Sequence, residues 1–127
     1  MNLTNLQLIK IVNSLKNLVN QSLPVKTSYN LMYDIDKINA NLKIYDKEKN
    51  KILQKYGKKN KHDKLVVKSD QTVVFNSIED ENKCKKDITD LLNISIDVDL
   101  RKIKITEFGD ATLSVNQVND LMYIIDA

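Results

Sequence analysis

Leu31, Ile35, Ile38, Leu42, Tyr45, Lys49, Ile52 and Tyr56 follow one another at alternating spacings of four and three residues. No other stretch limits the folding options of this chain as much. The pattern is a heptad seam with one polar member, Lys49, and it predicts a single helix over 25–56. Such a helix is about 48 Å long at 1.5 Å per residue. Pro24 suits its first turn, where a missing N–H costs nothing. Gly57 is expected to end it in the left-handed conformation.

A shorter amphipathic helix is predicted over 5–20. Thr4 and Gln7 form a capping box, and Leu8, Ile11, Val12, Leu15, Leu18 and Val19 recur at helical spacing. Folded back as a hairpin, it covers only half of the long helix. The half from Tyr45 to Tyr56 then needs either the C-terminal region or a second copy of the chain. The length mismatch favours a second copy, with Leu42, Tyr45, Ile52 and Tyr56 as self-association residues and a dimer as the simplest assembly.

Beyond a polar loop over 58–64, "LVVK" and "TVVF" flank Ser69-Asp70-Gln71 and suggest a short β-hairpin. Ser77 with Asp80 can cap a third helix reaching Leu92, its apolar side made by Ile78, Cys84, Ile88 and Leu91. "ISIDVDL" alternates as a strand, with Ile94, Ile96, Val98 and Leu100 on one face. Ile103 and Ile105 continue in the opposite parity, which calls for a bulge or bend near Arg101. Ser114 and Gln117 form a second capping box. Leu113 can staple onto Val118, and Val118, Leu121, Met122 and Ile125 face inward from a closing helix. No internal repeat is evident in the letters. The expected fold is α+β in one domain over 1–127: a helical hairpin over 4–57 with one long heptad-patterned arm, and an α+β part over 65–127 with a small antiparallel sheet and two further helices.

Hydrophobic residues at 42% and charged residues at 29% fit a folded globular domain rather than a disordered chain. No apolar run reaches the roughly 18 residues of a membrane span. With one cysteine there is no internal disulfide, and the expected compartment is the cytoplasm.

Charge is unevenly placed. The segment 43–68 holds ten lysines against Asp46, Glu48 and Asp63, whereas 69–127 is acidic on balance. Lys49, Lys55, Lys58, Lys59, Lys61 and Lys64 are therefore the candidate partner-binding residues. A phosphate backbone is one target for such a run. Against it, the segment contains no arginine, the residue whose planar fork best matches phosphate and guanine. Its two tyrosines, Tyr45 and Tyr56, both sit in the apolar seam. The plainest reading of the run is a solvated helix end and loop; as a binding surface it best matches an acidic protein or the acidic end of a second copy, with nucleic acid last.

Nothing in the chain supports catalysis, a metal or a cofactor. Asp97 and Asp99 project from the solvated face of an alternating strand, with no third ligand at a motif spacing. Asp34 and Asp36 do not face one another on a helix. His62 is the single histidine and lies among lysines in a loop. Cys84, next to Lys83, Lys85 and Lys86, reads either as an acidified thiol or, better, as a small core residue.

The order of "LIKIVNSLKNL", "LPVKTSYNLMYDIDKINANLKIYDKEKNKILQKYG" and "DLLNISIDVDLRKIKI", followed by a Ser-capped last helix, resembles an uncharacterised family of short proteins from tailed phages and prophages of Gram-positive bacteria. Over 60–76 this chain is lysine-rich and lacks the family's turn glycines. The resemblance implies a phage origin and a small α+β fold, and it transfers no site residues. The functional expectation is a non-enzymatic binding protein that acts on a host defence or nucleic-acid-processing complex. The alternatives are a nucleic-acid-binding accessory protein using 43–68 and a component of the phage particle or its assembly.

Overall fold

Helix boundaries follow the local chemistry closely. In the computed structural model, which describes residues 1–126, Thr4 caps helix α1 (Asn5–Leu18). Its hydroxyl accepts from the Gln7 N–H at 3.1 Å, while the Gln7 side chain accepts from the Thr4 N–H at 2.8 Å. Helix α2 (Val25–Tyr56) runs unbroken for 32 residues, and Pro24 stands just before it, its carbonyl accepting the Ser28 N–H. Helix α3 (Ile78–Leu92) starts at Ser77, whose hydroxyl accepts from the Asp80 N–H. Helix α4 (Val115–Leu121) carries the second capping box, Ser114 with Gln117.

The fold is α+β, as expected. Strand β1 (Asn2–Thr4) pairs antiparallel with β2 (Ser95–Asp97), Leu3 opposite Ile96. Two residues of β3 (Ile103–Lys104) pair in parallel with β4 (Ile125–Asp126). The latter pair corrects the expected closing helix. α4 stops at Leu121, Ile125 belongs to a strand, and Met122 is exposed rather than inward-facing. Ile103 is buried, but Ile105 opens a turn of 3-10 helix (Ile105–Phe108) and lies in solvent. Gly109 ends that turn at φ 61°, a conformation that opposes a side chain.

The chain forms two compact units. The first combines 1–43 with 95–127, and the second is continuous over 44–94. In the first unit, Leu8, Ile11, Leu15 and Leu18 of α1 join Leu31, Ile35 and Ile38 of α2 in one apolar core. Val98, Leu100, Ile103, Phe108, Leu121 and Ile124 complete it. Ser114→Ala should remove the cap of the short helix beside this core and cost about 1 kcal/mol, read as a lower denaturation midpoint at unchanged slope.

In the second unit, α3 lies along the C-terminal half of α2. The Tyr56 hydroxyl donates to Asp87 at 2.9 Å, and Glu48 and Ile52 share an open cleft with Asp87, Asp90, Leu91 and Ile94. Tyr45 is 7% exposed and Cys84 1%. Ile78 and Ile94, expected on apolar faces, are instead exposed at the ends of α3.

Between α2 and α3 the chain makes a three-cornered turn that the letters do not announce. Lys58 N–H donates to the Val74 carbonyl at 2.8 Å, Val74 N–H to the Val66 carbonyl at 3.0 Å, and Val66 N–H to the Lys58 carbonyl at 2.8 Å. These three residues are spaced by eight, and each donates to one neighbour and accepts from the other. Two matching corners join them. Asn60 N–H bonds the Lys64 carbonyl across one, and Lys68 N–H bonds the Thr72 carbonyl across the next. Each corner has its third residue in the left-handed region, Asp63 at φ 59° and Gln71 at φ 69°. A three-residue hairpin loop requires that conformation there, at a cost of about 1–2 kcal/mol for a residue with a side chain. The expected hairpin over 65–75 exists, therefore, but as two sides of a closed triangle.

Gly57 occupies the matching position one step before that ring and pairs across it with Phe75. Its φ is not positive, so the expected left-handed helix stop is wrong. The glycine is required for space. A Cβ there would stand 2.5 Å from Leu65 Cδ2, 2.7 Å from the Leu53 carbonyl and 3.0 Å from Val73 Cγ1. Positions 57, 65 and 73, again spaced by eight, meet at the middle of the triangle.

Candidate functional site

The lysines predicted to bind a partner come from two elements of the second unit. Lys47, Lys51 and Lys55 are exposed on α2, and Lys58, Lys59, Lys61, Lys64 and Lys68 are exposed along the three-cornered turn. Lys49 is only half-exposed and close enough to Cys84 to act on its thiol, so it belongs to the packed side of α2 rather than to the open surface. Among the described residues, Lys51 alone of the ten lysines in 43–68 has an ion-pair partner, Glu48 at 3.1 Å. Lys55 Nζ sits 5.1 Å from the centre of the Tyr56 ring. The turn thus presents five exposed lysines alongside Asp63 and Asp70, none of the five in an ion pair among the described residues, on a backbone hydrogen-bonded across both of its hairpin corners. His62 is exposed on the same turn, its N–H donated to Asn60 Oδ1.

The residues assigned to self-association are used within the chain. Leu42 packs against the core of the first unit. Tyr45 is buried in the second, Ile52 is half-buried in the cleft beside α3, and Tyr56 is tied to Asp87. α3 packs beside the half of the seam that the first helix does not reach, and it leaves Ile52 half-buried in an open cleft.

Several chemical candidates resolve as structural groups. Asp97 is exposed and accepts from the Met1 amine at 3.2 Å. Burial pushes the Cys84 thiol above its ordinary range, with Asp87 adding to the effect and Lys49 only partly opposing it. An acidified nucleophile would need the reverse. Among the described residues no cluster of His, Cys, Asp or Glu could hold a metal ion, and no helix is long and apolar enough to cross a membrane.

A second surface went unread. Asp34, which the sequence rules out as a partner for Asp36 in an acid pair, is fully buried. It sits among Thr27, Leu31, Ile35 and Ile38 on the inward stripe of α2. Its Oδ1 accepts the Arg101 N–H at 2.7 Å, and its Oδ2 has no hydrogen-bond partner. Burial drives its pKa up to about 6, against the lowering effect of the Arg101 N–H and guanidinium; Asp99 raises it further. The carboxylate satisfies the Arg101 backbone N–H in the stretch between β2 and β3. The inward position of 34 within the 31-35-38 pattern was the available signal.

Above Asp34, the one arginine of the chain lies flat against α2. The Arg101 guanidinium carbon is 3.9 Å from the Tyr33 ring centre and 5.5 Å from that of Tyr29, and Nη1 donates to Asn30 Oδ1 at 2.9 Å. Lys37 Nζ stands 5.4 Å from the same Tyr33 ring. Tyr29, Tyr33 and Lys37 recur every four residues, which places them on one face of the helix.

No protein-family model matches this chain, and no curated protein or solved structure is significantly similar to it.

Proposed function

We propose that the protein is a non-enzymatic, phage-encoded binding protein that docks its lysine-bearing turn onto an acidic surface of a bacterial host protein. One observation carries the reading. Lys58, Lys59, Lys61, Lys64 and Lys68 stand exposed and outnumber Asp63 and Asp70 on a turn whose backbone is closed by its own hydrogen bonds. Like charges gathered in this way repel one another, and an acidic partner relieves the repulsion. The phage attribution rests on the resemblance of the sequence and accounts for a host target, such as a defence or nucleic-acid-processing complex.

A protein target fits this surface better than a nucleic acid. The turn offers no arginine, and the nearby aromatic rings are engaged, with Tyr45 buried and Tyr56 bonded to Asp87. Base stacking and bidentate phosphate contacts, the usual sources of tight nucleic-acid binding, are thus not provided.

The test is capture from host lysate, with and without nuclease, by the wild-type chain and by a Lys58→Glu, Lys61→Glu, Lys64→Glu variant. The wild type should retain an acidic protein after nuclease treatment, and the variant should lose it. Random oligonucleotides should bind only at the about 10⁻⁴ to 10⁻⁶ M level of non-specific contacts. A submicromolar, sequence-selective complex with nucleic acid would overturn the proposal.

A further inference from the structure

Arginine side chains held against a protein surface usually end on a carboxylate, and Arg101 does not. Of its five N–H donors, one is spent on Asn30 Oδ1. Asp34, the nearest buried acid, bonds its backbone N–H rather than its side chain. The edge formed by Nε and Nη2 has no hydrogen-bond or ion-pair partner among the described residues. That edge is the fork that receives two carboxylate oxygens side by side.

We propose that the Nε–Nη2 edge of Arg101, flanked by Tyr29 and Lys37, is the anchor for a single carboxylate side chain on an acidic segment of a protein partner. The proposal rests on reading the chain as a protein-binding module, but it concerns a surface of the first unit, independent of the lysine turn.

Three features of the site serve this purpose. The guanidinium is already ordered, stacked on Tyr33 and fixed by Asn30, so binding does not have to immobilise a long flexible side chain. Tyr29 is 65% exposed beside it and offers an apolar face to whatever side chain flanks the incoming carboxylate. Arginine and tyrosine together are also the composition of interface hot spots, whereas an exposed tyrosine without a partner leaves a large ring in water.

The surrounding charge selects the ligand. Lys37 adds a second cation against Tyr33, while Asp34 lies beneath and Asp99 is within electrostatic reach of it. A polyphosphate backbone would bring many charges against those two acids. A lone carboxylate takes the arginine fork and avoids them, so this surface is matched to protein rather than to nucleic acid.

Because Arg101 is the only arginine in the chain, its Nε–H gives one unambiguous side-chain signal in a ¹H–¹⁵N spectrum. The full-length protein is titrated with the capped peptide Gly-Phe-Glu-Gly, with its Gly-Phe-Gln-Gly counterpart and with a random single-stranded oligonucleotide. The glutamate peptide should shift the Arg101 Nε–H signal saturably at millimolar concentration, and the glutamine peptide should not. Arg101→Lys, which keeps the charge and the backbone N–H but loses the fork, should weaken the glutamate peptide by about tenfold. Tyr29→Ala, at an exposed position that does not threaten folding, should weaken it by a smaller factor. The Lys58→Glu, Lys61→Glu, Lys64→Glu variant should bind it as the wild type does, which separates this site from the lysine turn. Equal shifts with both peptides, unchanged binding by Arg101→Lys, or an oligonucleotide that moves the Arg101 signal at lower concentration would each overturn the proposal.

Discussion

Gly57→Ala should destabilise the protein by about 3 kcal/mol, the upper end of what overpacking costs. The added methyl would meet Leu65 Cδ2 at 2.5 Å and the Leu53 carbonyl at 2.7 Å, well inside contact distance. The second of these is backbone of α2 and cannot rotate away. The damage should be local first. Amide exchange at Lys58, Val66 and Val74, whose N–H groups close the triangle, should accelerate more than exchange in α1. Adding Leu65→Ala to Gly57→Ala should return only part of the loss, because the side-chain clash is relieved and the carbonyl clash is not. A denaturation midpoint unchanged by Gly57→Ala would show that the turn does not close around position 57. The same variant links fold to function. If the turn opens, its five lysines lose their fixed spacing, and partner capture should fall although no charge has been changed.

The second large effect is a pH dependence centred on Asp34. Its carboxyl has a pKa of about 6 in the folded protein against an ordinary 3.8. The folded form therefore holds the proton more tightly than the unfolded one. The stabilisation from that proton is complete below about pH 4 and is lost as pH rises to about 6, in all about 3 kcal/mol. The physical cause is burial of a carboxylate whose Oδ2 has no hydrogen-bond partner. Asp34→Asn should remove this dependence and raise stability at pH 7. The gain should be smaller than the full amount, about 1–2 kcal/mol, because the new amide group is also buried without an acceptor. Asp34→Leu should be less stable than Asp34→Asn by about 1–3 kcal/mol, since only asparagine keeps an acceptor for the Arg101 N–H. The measurement is the stability difference between wild type and Asp34→Asn at pH 4, 5, 6 and 7. A difference that does not grow with pH would mean that Asp34 is hydrated or paired in solution.

The two candidate surfaces differ in what made them visible. The lysine run is a feature of composition, and neither its extent nor its exposure depends on the fold. The Arg101 surface is assembled from α2 and from a stretch 68 residues beyond Tyr33 in sequence. Tyr29, Asn30, Tyr33 and Lys37 lie on one helix face, but nothing local says that the lone arginine will lie across them. The inward acid that anchors the crossing at Arg101 is visible in the sequence only as a polar residue on the apolar 31-35-38 stripe, and nothing local names its partner.

Local chemistry alone determined where the helices begin, how long α2 is and which residues of α1 and α2 face inward. Caps and apolar periodicity act through contacts a few residues apart, so Thr4, Ser77 and Ser114 each start a helix as their letters predict. Tertiary structure decided everything that depends on a distant partner. It set α3 beside the seam from Tyr45 to Tyr56, because a helix stripe specifies that it must be covered and not by what. It turned the end of the expected closing helix into β4, because pairing with Ile103 and Lys104 satisfies backbone groups that a further helical turn would have left without a tertiary contact. It also closed 57–75 into a triangle whose repeat is one of backbone bonds and side-chain direction. Glycine, leucine and valine at 57, 65 and 73 share a position without sharing a size, and their equivalence exists only once the three sides have met.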